Sequence, residues 1–366
     1  MGNLIIKGKG GAGNKLIIQD QAGAAVLTTG DSGATLSTQT ISLSAQYIAA
    51  TGGAITTLGD FKVHTFLASG TFTVTNAGNT LGSQNVEVLV VGGGGSGGAD
   101  VGGGGGAGGL IEGVISQPVT ATAYTITVGA GGAARTDGSS GNAGSPSYFA
   151  QGAGVQLECK AAGGGYGCDE NATGGNGGSG GGSGPEAISP LGWSLGNIGA
   201  PGTRIYGNEG GRRGYPSGGG GGAGSPGGTG PDSSASTPQT EFRGDGHFSG
   251  GRGRQNNIDG NNYYWAAGGG GADWRTGGRG GEGGIGGGGG GSAYYTNCAD
   301  SGIGGAGGTG GINNGGAGPG NDDSPAGSGG ANTGSGGGGS GNYWGPCGHN
   351  SGAGGSGIVI VKYKFQ

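Results

Sequence analysis

Hydrophobic and polar residues alternate in short stretches near both ends of the chain, while its middle shows no such alternation. Residues 70–75, Gly-Thr-Phe-Thr-Val-Thr, keep a clean period of two. Residues 62–67, 86–91, 109–115 and 124–128 are short runs rich in β-branched residues between turn signals. Runs of this kind read as strands. The most strand-like run of all is 358–365, Ile-Val-Ile-Val-Lys-Tyr-Lys-Phe. It and 86–91 flank the middle region on either side, so both are expected in one small sandwich that clamps the ends of that region together.

Residues 1–45 read as short strands broken by glycine turns, with Leu4, Ile5, Ile6, Leu16, Ile17 and Ile18 as their apolar positions. A segment this small buries no core alone. It is expected to dock on a partner or intertwine with copies of itself, as an attachment or trimerisation segment. Residues 46–60 read as a linker of polar and small residues. The β base is then expected over 61–160, including the first glycine run, with 358–365 completing it.

Between Gly92 and Gly357 a different rule holds: two glycines, then one other residue. Thr276, Arg279, Glu282 and Ile285 recur every third position with only glycine between them. Ile303, Ala306, Thr309 and Ile312 form a second column, and Thr173, Asn176 and Ser179 a third. A period of three fits neither the α-helix nor the strand, but it fits the polyproline-II helix, with about three residues per turn. That helix has no internal hydrogen bonds, so its N–H and C=O groups must be satisfied by neighbouring helices. Two Cβ-free faces out of three allow backbones to approach closely, and the third carries a side chain outward. Residues 161–357 are therefore expected to form a sandwich of polyglycine-II helices with long connecting loops. The fold class is mainly β and irregular, with essentially no α-helix.

Composition alone argues for disorder. With 113 glycines and 12 prolines in 366 residues, the chain exceeds the roughly 25–30% that ordinarily marks low-complexity sequence. The phased triplets argue the other way, since a random linker has no reason to keep them. Only 31% of residues are hydrophobic, so hydrogen bonding rather than an oily core must organise the block. The formal net charge of −5 gives no basis for a nucleic-acid surface. No run approaches the roughly 18 apolar residues of a membrane span, and no signal peptide is evident, so no membrane insertion is expected and export would need another route.

Candidate chemistry is sparse. Cys159, Cys168, Cys298 and Cys347 lack CxxC spacing and the three histidines do not sit at metal-helix spacing, so neither a metal site nor a cofactor is expected. Cys159 with Cys168 and Cys298 with Cys347 are the simplest disulfides; the four cysteines allow three pairings, and free thiols are the alternative. No nucleophile has a placed base and no GxxxxGK[ST] loop occurs, while GxGxxG matches carry no information in a chain this rich in glycine. An enzyme is not expected. The insertions between glycine runs instead hold aromatics and arginines: Trp193, Tyr206, Arg212, Arg213, Tyr215, Phe242, Phe248, Tyr263, Tyr264, Trp265, Tyr294, Tyr295, Tyr343 and Trp344. Stiff rods place such loops at their ends, where the side chains either cap the last backbone layer or bind a partner.

The stretches FKVHTFLASGTFTVTN (61–76), VEVLVVGGGGSGG (86–98), YTITVGAGG (124–132) and GGSGIVIVKYKF (354–365), in this order, resemble the glycine-rich domain of bacteriophage tail-fibre and related virion proteins over about residues 60–366. The resemblance implies a non-enzymatic virion protein, often a homotrimer, in a family without catalytic residues or a transferable contact residue. It implies a location on the virion, outside the cell after host lysis. A receptor-binding tail fibre or tip is the first expectation, recognising a host cell-surface glycan or outer-membrane protein and joined to other virion proteins through residues 1–45. A purely structural part, such as a head fibre, capsid decoration or fibre spacer, is the alternative. Flat-face ice binding fits poorly, because the columns mix arginine, glutamate and isoleucine.

Overall fold

The computed structural model describes residues 17–19, 25–30, 33–36, 44–185, 192–212, 217–229, 248–273, 278–293, 303–320, 324–341 and 350–366. It contains strands and irregular chain, and no helix, among these residues. Two compact units divide at Ser44/Ala45. In the first, strands β1 (Ile17–Gln19), β2 (Ala25–Gly30) and β3 (Gly33–Leu36) form an antiparallel meander.

The second unit, Ala45–Gln366, is built on two antiparallel sheets. One has the order β12 (Cys159–Ala161), β11 (Ser147–Phe149), β10 (Ala123–Thr127), β7 (Gly70–Ala77), β4 (Ile48–Thr51). The other has the order β13 (Thr203–Tyr206), β9 (Leu110–Val114), β8 (Glu87–Val91), β16 (Ile358–Lys364), β6 (Phe61–Phe66), β5 (Ala54–Leu58). A separate hairpin joins β14 (Arg254–Asn256) to β15 (Tyr263–Trp265).

Strand alternation gives the second sheet two different jobs. Val88 and Val90 of β8 and Val359, Val361 and Tyr363 of β16 face the first sheet, where they meet Phe72, Val74, Ile126 and Phe149. Leu89, Val91, Ile358 and Ile360 point the other way, into a second core with Ile258 and Trp265 of the hairpin region and Ala107, Ala223 and Ala266 of the glycine block. Burial on both faces is why these two strands read as unbroken hydrophobic runs. The expected pairing of 86–91 with 358–365 is made, with Ile358 opposite Val91 and Lys362 opposite Glu87, and Lys362 Nζ closes on Glu87 Oε2 at 2.8 Å.

Residues 46–60 are not a linker. They hold β4, paired with β7, and β5, paired with β6. Both are edge strands with mostly exposed or half-exposed positions, so they need few apolar side chains and their sequence reads as polar. Base and glycine block lie in one compact unit, and rods start or end directly in base strands at Val91/Gly92, Gly109/Leu110 and Gly357/Ile358.

The glycine block is a lattice of extended rods whose hydrogen bonds repeat every third residue. In rod 92–99, Gly92, Gly95 and Gly98 donate to the carbonyls of Gly109, Gly106 and Gly103; Gly93, Ser96 and Ala99 donate to Ser145, Asn142 and Ser139; and Gly94 and Gly97 donate to Gly355 and Gly352. All eight bonds are 2.9–3.0 Å long. The same rod accepts from three others, through Gly164 and Gly167, Gly337 and Ser340, and Gly132. Rod 102–109 repeats the scheme, donating in turn to Ser340, Cys168 and Gly218, then to Gly337, Gly165 and Gly221. Three donating and three accepting directions make each of these rods the centre of a hexagon, which is polyglycine-II packing.

At most glycines of the lattice a side chain would have no room, although small ones such as Ser96 and Ala99 are buried in the first rod. A Cβ on Gly105 would stand 2.2 Å from the Gly95 carbonyl oxygen, and one on Gly337 2.1 Å from that of Gly352. At the rim the third face is free. Arg279, Glu282 and Ile285 are exposed over buried Gly280, Gly281 and Gly284, as are Ile303, Ala306 and Thr309 over Gly305 and Gly308. Ile312 instead folds against the second core. In the third column Asn176 is exposed and Thr173 half-buried, but Ser179 is buried, because rod 207–212 covers it: its Oγ accepts from Asn208 N–H. Thr276 lies outside the described residues.

One buried polar chain ties the base together. His64 lies between the sheets, edge-on to Phe72 with ring centroids 5.1 Å apart. Its Nδ1 is 2.7 Å from the Gly52 carbonyl oxygen and its Nε2 3.2 Å from the Tyr363 hydroxyl. A carbonyl only accepts, so Nδ1 carries the proton and Nε2 accepts from Tyr363. The Tyr363 hydroxyl in turn accepts from Ala50 N–H at 3.1 Å. Burial, helped by Lys62, holds the imidazole below its ordinary value of 6.5.

Two outcomes follow. Gly105→Ala lowers unfolding stability by about 2 kcal/mol or more, since backbone must shift, whereas Arg279→Ala at the rim stays within about 0.5 kcal/mol; denaturant midpoints compare them. Below pH 6.5 the unfolded chain binds a proton on residue 64 that the folded chain refuses, so stability is full above that pH and declines as pH falls through it. His64→Gln removes this part of the slope between pH 7.5 and 5, and an unchanged slope would count against the assigned protonation state.

Candidate functional site

The rods have two distinct ends. At one, Gly92, Gly109 and Gly357 run into the sandwich. Residues 45–47 enter the unit at the far side of that sandwich: Tyr47 lies under the Lys364 ammonium, Gln46 N–H donates to Asn79, and Ser83 Oγ donates to the Lys364 carbonyl. Chain entry and rod tips are thus at opposite poles.

At the tips, neighbouring rods stand in a row that the hydrogen bonds define. Gly341 N–H donates to Ser292 Oγ at 2.7 Å, Asp273 N–H to the Ser292 carbonyl, Ser217 N–H to the Ala272 carbonyl and Gly218 N–H to the Ser183 carbonyl. A parallel bridge joins Asp273 to Ala293. These residues bound the connections 186–191, 213–216, 274–277, 294–302 and 342–349, so five connections leave the bundle side by side. Phe248, which bounds 230–247, accepts from Gly271 N–H at the same end, and Arg212 stands exposed there with its N–H on Thr229 Oγ1.

The candidate aromatics separate into three groups. Tyr215, Phe242, Tyr294, Tyr295, Tyr343 and Trp344, and with them Arg213, lie outside the described residues, within connections rooted at the tips. Phe248 is a cap: it is buried and holds a positive φ of 44° at the last lattice layer. Four of the other five are at the base. Trp265, expected in a binding loop, is fully buried in the second core, with Tyr263 edge-on to it at 5.7 Å. The reason is period two in β15, which turns Tyr263 and Trp265 onto the sheet and leaves Tyr264 half-buried against Gly310 and Gly286. Tyr206 is half-buried beneath the Arg254 guanidinium, 4.6 Å from its ring centre. Trp193 is exposed on the flank, its N–H on Asn176 Oδ1.

A cluster the sequence reading missed explains why Tyr206 is held there. Glu112 of β9 takes Arg254 on Oε1 at 3.1 and 3.2 Å and Asn256 on Oε2 at 2.6 Å. It pins the β14–β15 hairpin to the outer side of the sheet. The period-two spacing of Arg254 and Asn256 was the available signal.

The expected Cys159–Cys168 disulfide is not formed; both are buried free thiols. Cys159 sits in β12 of the base, whereas Cys168 lies at the tip of rod 162–168, donating to the Gly182 carbonyl. A rod's length separates them. Burial raises both thiols, Cys168 to about 12, so neither is a reactive thiolate. Cys298 and Cys347 lie outside the described residues. Among the described residues no three His, Cys, Asp or Glu side chains gather as metal ligands. An open cavity of about 310 Å³ lies at the entry pole, lined by Asn79, Thr80, Gly82, Ser83, Gln84 and Asn85. Two of its amides are already engaged: Asn79 Oδ1 accepts from three backbone N–H groups, and Asn85 donates to the Ile115 carbonyl.

A family model described as a glycine-rich domain matches residues 65–318. The chain belongs to the glycine-rich domain family. No curated protein matches it. In this glycine-rich domain the rods beyond the matched span are no appendage: rod 334–341 donates to Gly95 and Gly98 of the first rod, at the centre of the lattice.

The division of aromatics is testable. Trp265→Ala costs about 3–5 kcal/mol of stability, while Trp193→Ala stays within about 0.5 kcal/mol, as read by thermal or denaturant unfolding of the two variants.

Proposed function

We propose that the chain is a non-enzymatic fibre protein of a bacteriophage virion that recognises the host bacterial surface through connections at its rod tips. The observation that carries this reading is the row of roots Ser183, Ser217, Asp273, Ala293 and Gly341, from which five connections leave one end of a rigid lattice. Those connections hold Tyr343-Trp344, Tyr294-Tyr295, Trp274-Arg275 and Arg213-Gly214-Tyr215. Aromatic residues and arginine are the usual anchors of a binding surface, and the flat faces and N–H or O–H groups of Tyr and Trp suit a surface glycan as well as an outer-membrane protein. Entry of the chain at the opposite pole suits attachment to another virion protein through residues 1–45. Host lysis would release such a protein together with the virion.

The test is binding of the full-length protein to intact bacteria from a broad host panel. Its partners are one variant with Tyr294, Tyr295, Tyr343 and Trp344 all changed to alanine, and a base control, Tyr264→Ala. Strain-selective binding that falls at least about tenfold in the tip variant, equivalent to about 1.4 kcal/mol, and persists in the control is the expected result. Binding untouched by the tip changes would overturn the assignment to these connections. Absence of binding to any strain, the true host included, would put a structural virion part such as a head fibre or spacer in its place.

A further inference from the structure

The two sheets of the base expose four edges, and three of them carry a device that blocks further pairing. Strand β13 presents the exposed charge of Arg204, β4 is bulged between Ala49 and Ala50, and β12 is capped by Ile198, which exchanges two backbone hydrogen bonds with Lys160. Charges, bulges and covering segments are how sheet edges avoid unwanted partners. Among the described residues, strand β5 has none of these. Ala54-Ile55-Thr56-Thr57-Leu58 carries no charge and no proline, keeps unbroken register with β6, and is exposed at all five positions.

Its backbone is set for one particular partner. Gly59, with φ of 57°, opens a two-residue turn that places Leu58 opposite Phe61. Glycine first in such a turn is the II′ arrangement, which makes Leu58–Phe61 a hydrogen-bonded pair. Alternation then directs Ala54, Thr56 and Leu58 toward β6 and turns the N–H and C=O groups of Ile55 and Thr57 outward. A second β5 brought up antiparallel about a two-fold axis at Thr56 sets Ile55 opposite Thr57 of the second copy, and Thr57 opposite its Ile55. Both are hydrogen-bonded pairs, so every outward group on the strand is satisfied. The same axis sets Ala54 against Leu58, Gly53 against Gly59 and Gly52 against Asp60, so no like charges meet and the ends are glycine. On the sheet's two faces the added strand would cover Ile55 and Leu58, 47% and 39% exposed in the single chain.

We infer that β5 is a self-pairing edge through which two copies of this chain join their six-stranded sheets into one continuous sheet. This two-fold dimer differs from the homotrimer that the resemblance to phage fibres implies, and it does not depend on the proposed receptor binding.

Light scattering of the full-length protein over a range of concentrations should give a dimer mass. Ile55→Lys and Thr57→Pro, both on the outward side of β5, should each return it to monomer with the unfolding midpoint otherwise retained. A register test holds even if those variants unfold. Opposite residues of a non-hydrogen-bonded pair lie about 4.5 Å apart between Cα atoms, within disulfide reach. Thr56→Cys should therefore form a covalent dimer under mild oxidation that Thr57→Cys and the unaltered protein do not. A monomer or trimer mass at all concentrations, a dimer indifferent to both edge substitutions, or equal cross-linking at 56 and 57 would overturn the inference.

Discussion

Everything in this fold depends on satisfying backbone N–H and C=O groups in rods that have no internal hydrogen bonds. An isolated polyglycine-II helix gives its amides only to water, and each glycine loses more freedom on ordering than any other residue. The lattice offsets this because each central rod donates in three directions and accepts from three. That arrangement requires backbones so close that a single Cβ would fall about 2 Å from a carbonyl oxygen at Gly105 or Gly337. Glycine is therefore the only residue that the interior admits at those positions. The side-chain core is confined to the sandwich, where one six-stranded sheet packs against a second sheet on one face and against the hairpin and rod ends on the other.

This division separates two kinds of freedom. In the base, alternation fixes which residue faces which core, and a change such as one at Trp265 disturbs packing. At the rim, the third position of each triplet carries any side chain, as Arg279, Glu282 and Ile285 show within one column.

The period-three columns and the pairing of 86–91 with 358–365 were legible in the sequence because both follow from repeats over several residues. What was not legible came from tertiary context. Strands β4 and β5 lack apolar content because edge positions demand little of it, so a linker and an edge strand look alike. Tyr263 and Trp265 looked like loop aromatics because β15 is three residues long, too short for alternation to declare itself beside glycine. Ser179 kept the outward register of its column, yet another rod from later in the chain covers it. Of the candidate binding residues, Phe248, Tyr206, Tyr263 and Trp265 take structural places, and those rooted at the tips carry the functional reading.

Strand β16 lies between β8 and β6, at the centre of the larger sheet, although it is synthesised after every rod. Until residues 358–364 emerge from the ribosome, β8 and β6 have no common neighbour, and the valines and isoleucines that seal both cores are missing. Rod 334–341, also late, fills the middle of the lattice beside the first rod. The contacts that close the structure thus span most of the chain, the arrangement that makes folding slow and cooperative. Assembly has to wait for the last strand, and a nascent chain stopped within the glycine block has neither a finished sheet nor a finished lattice to fall back on.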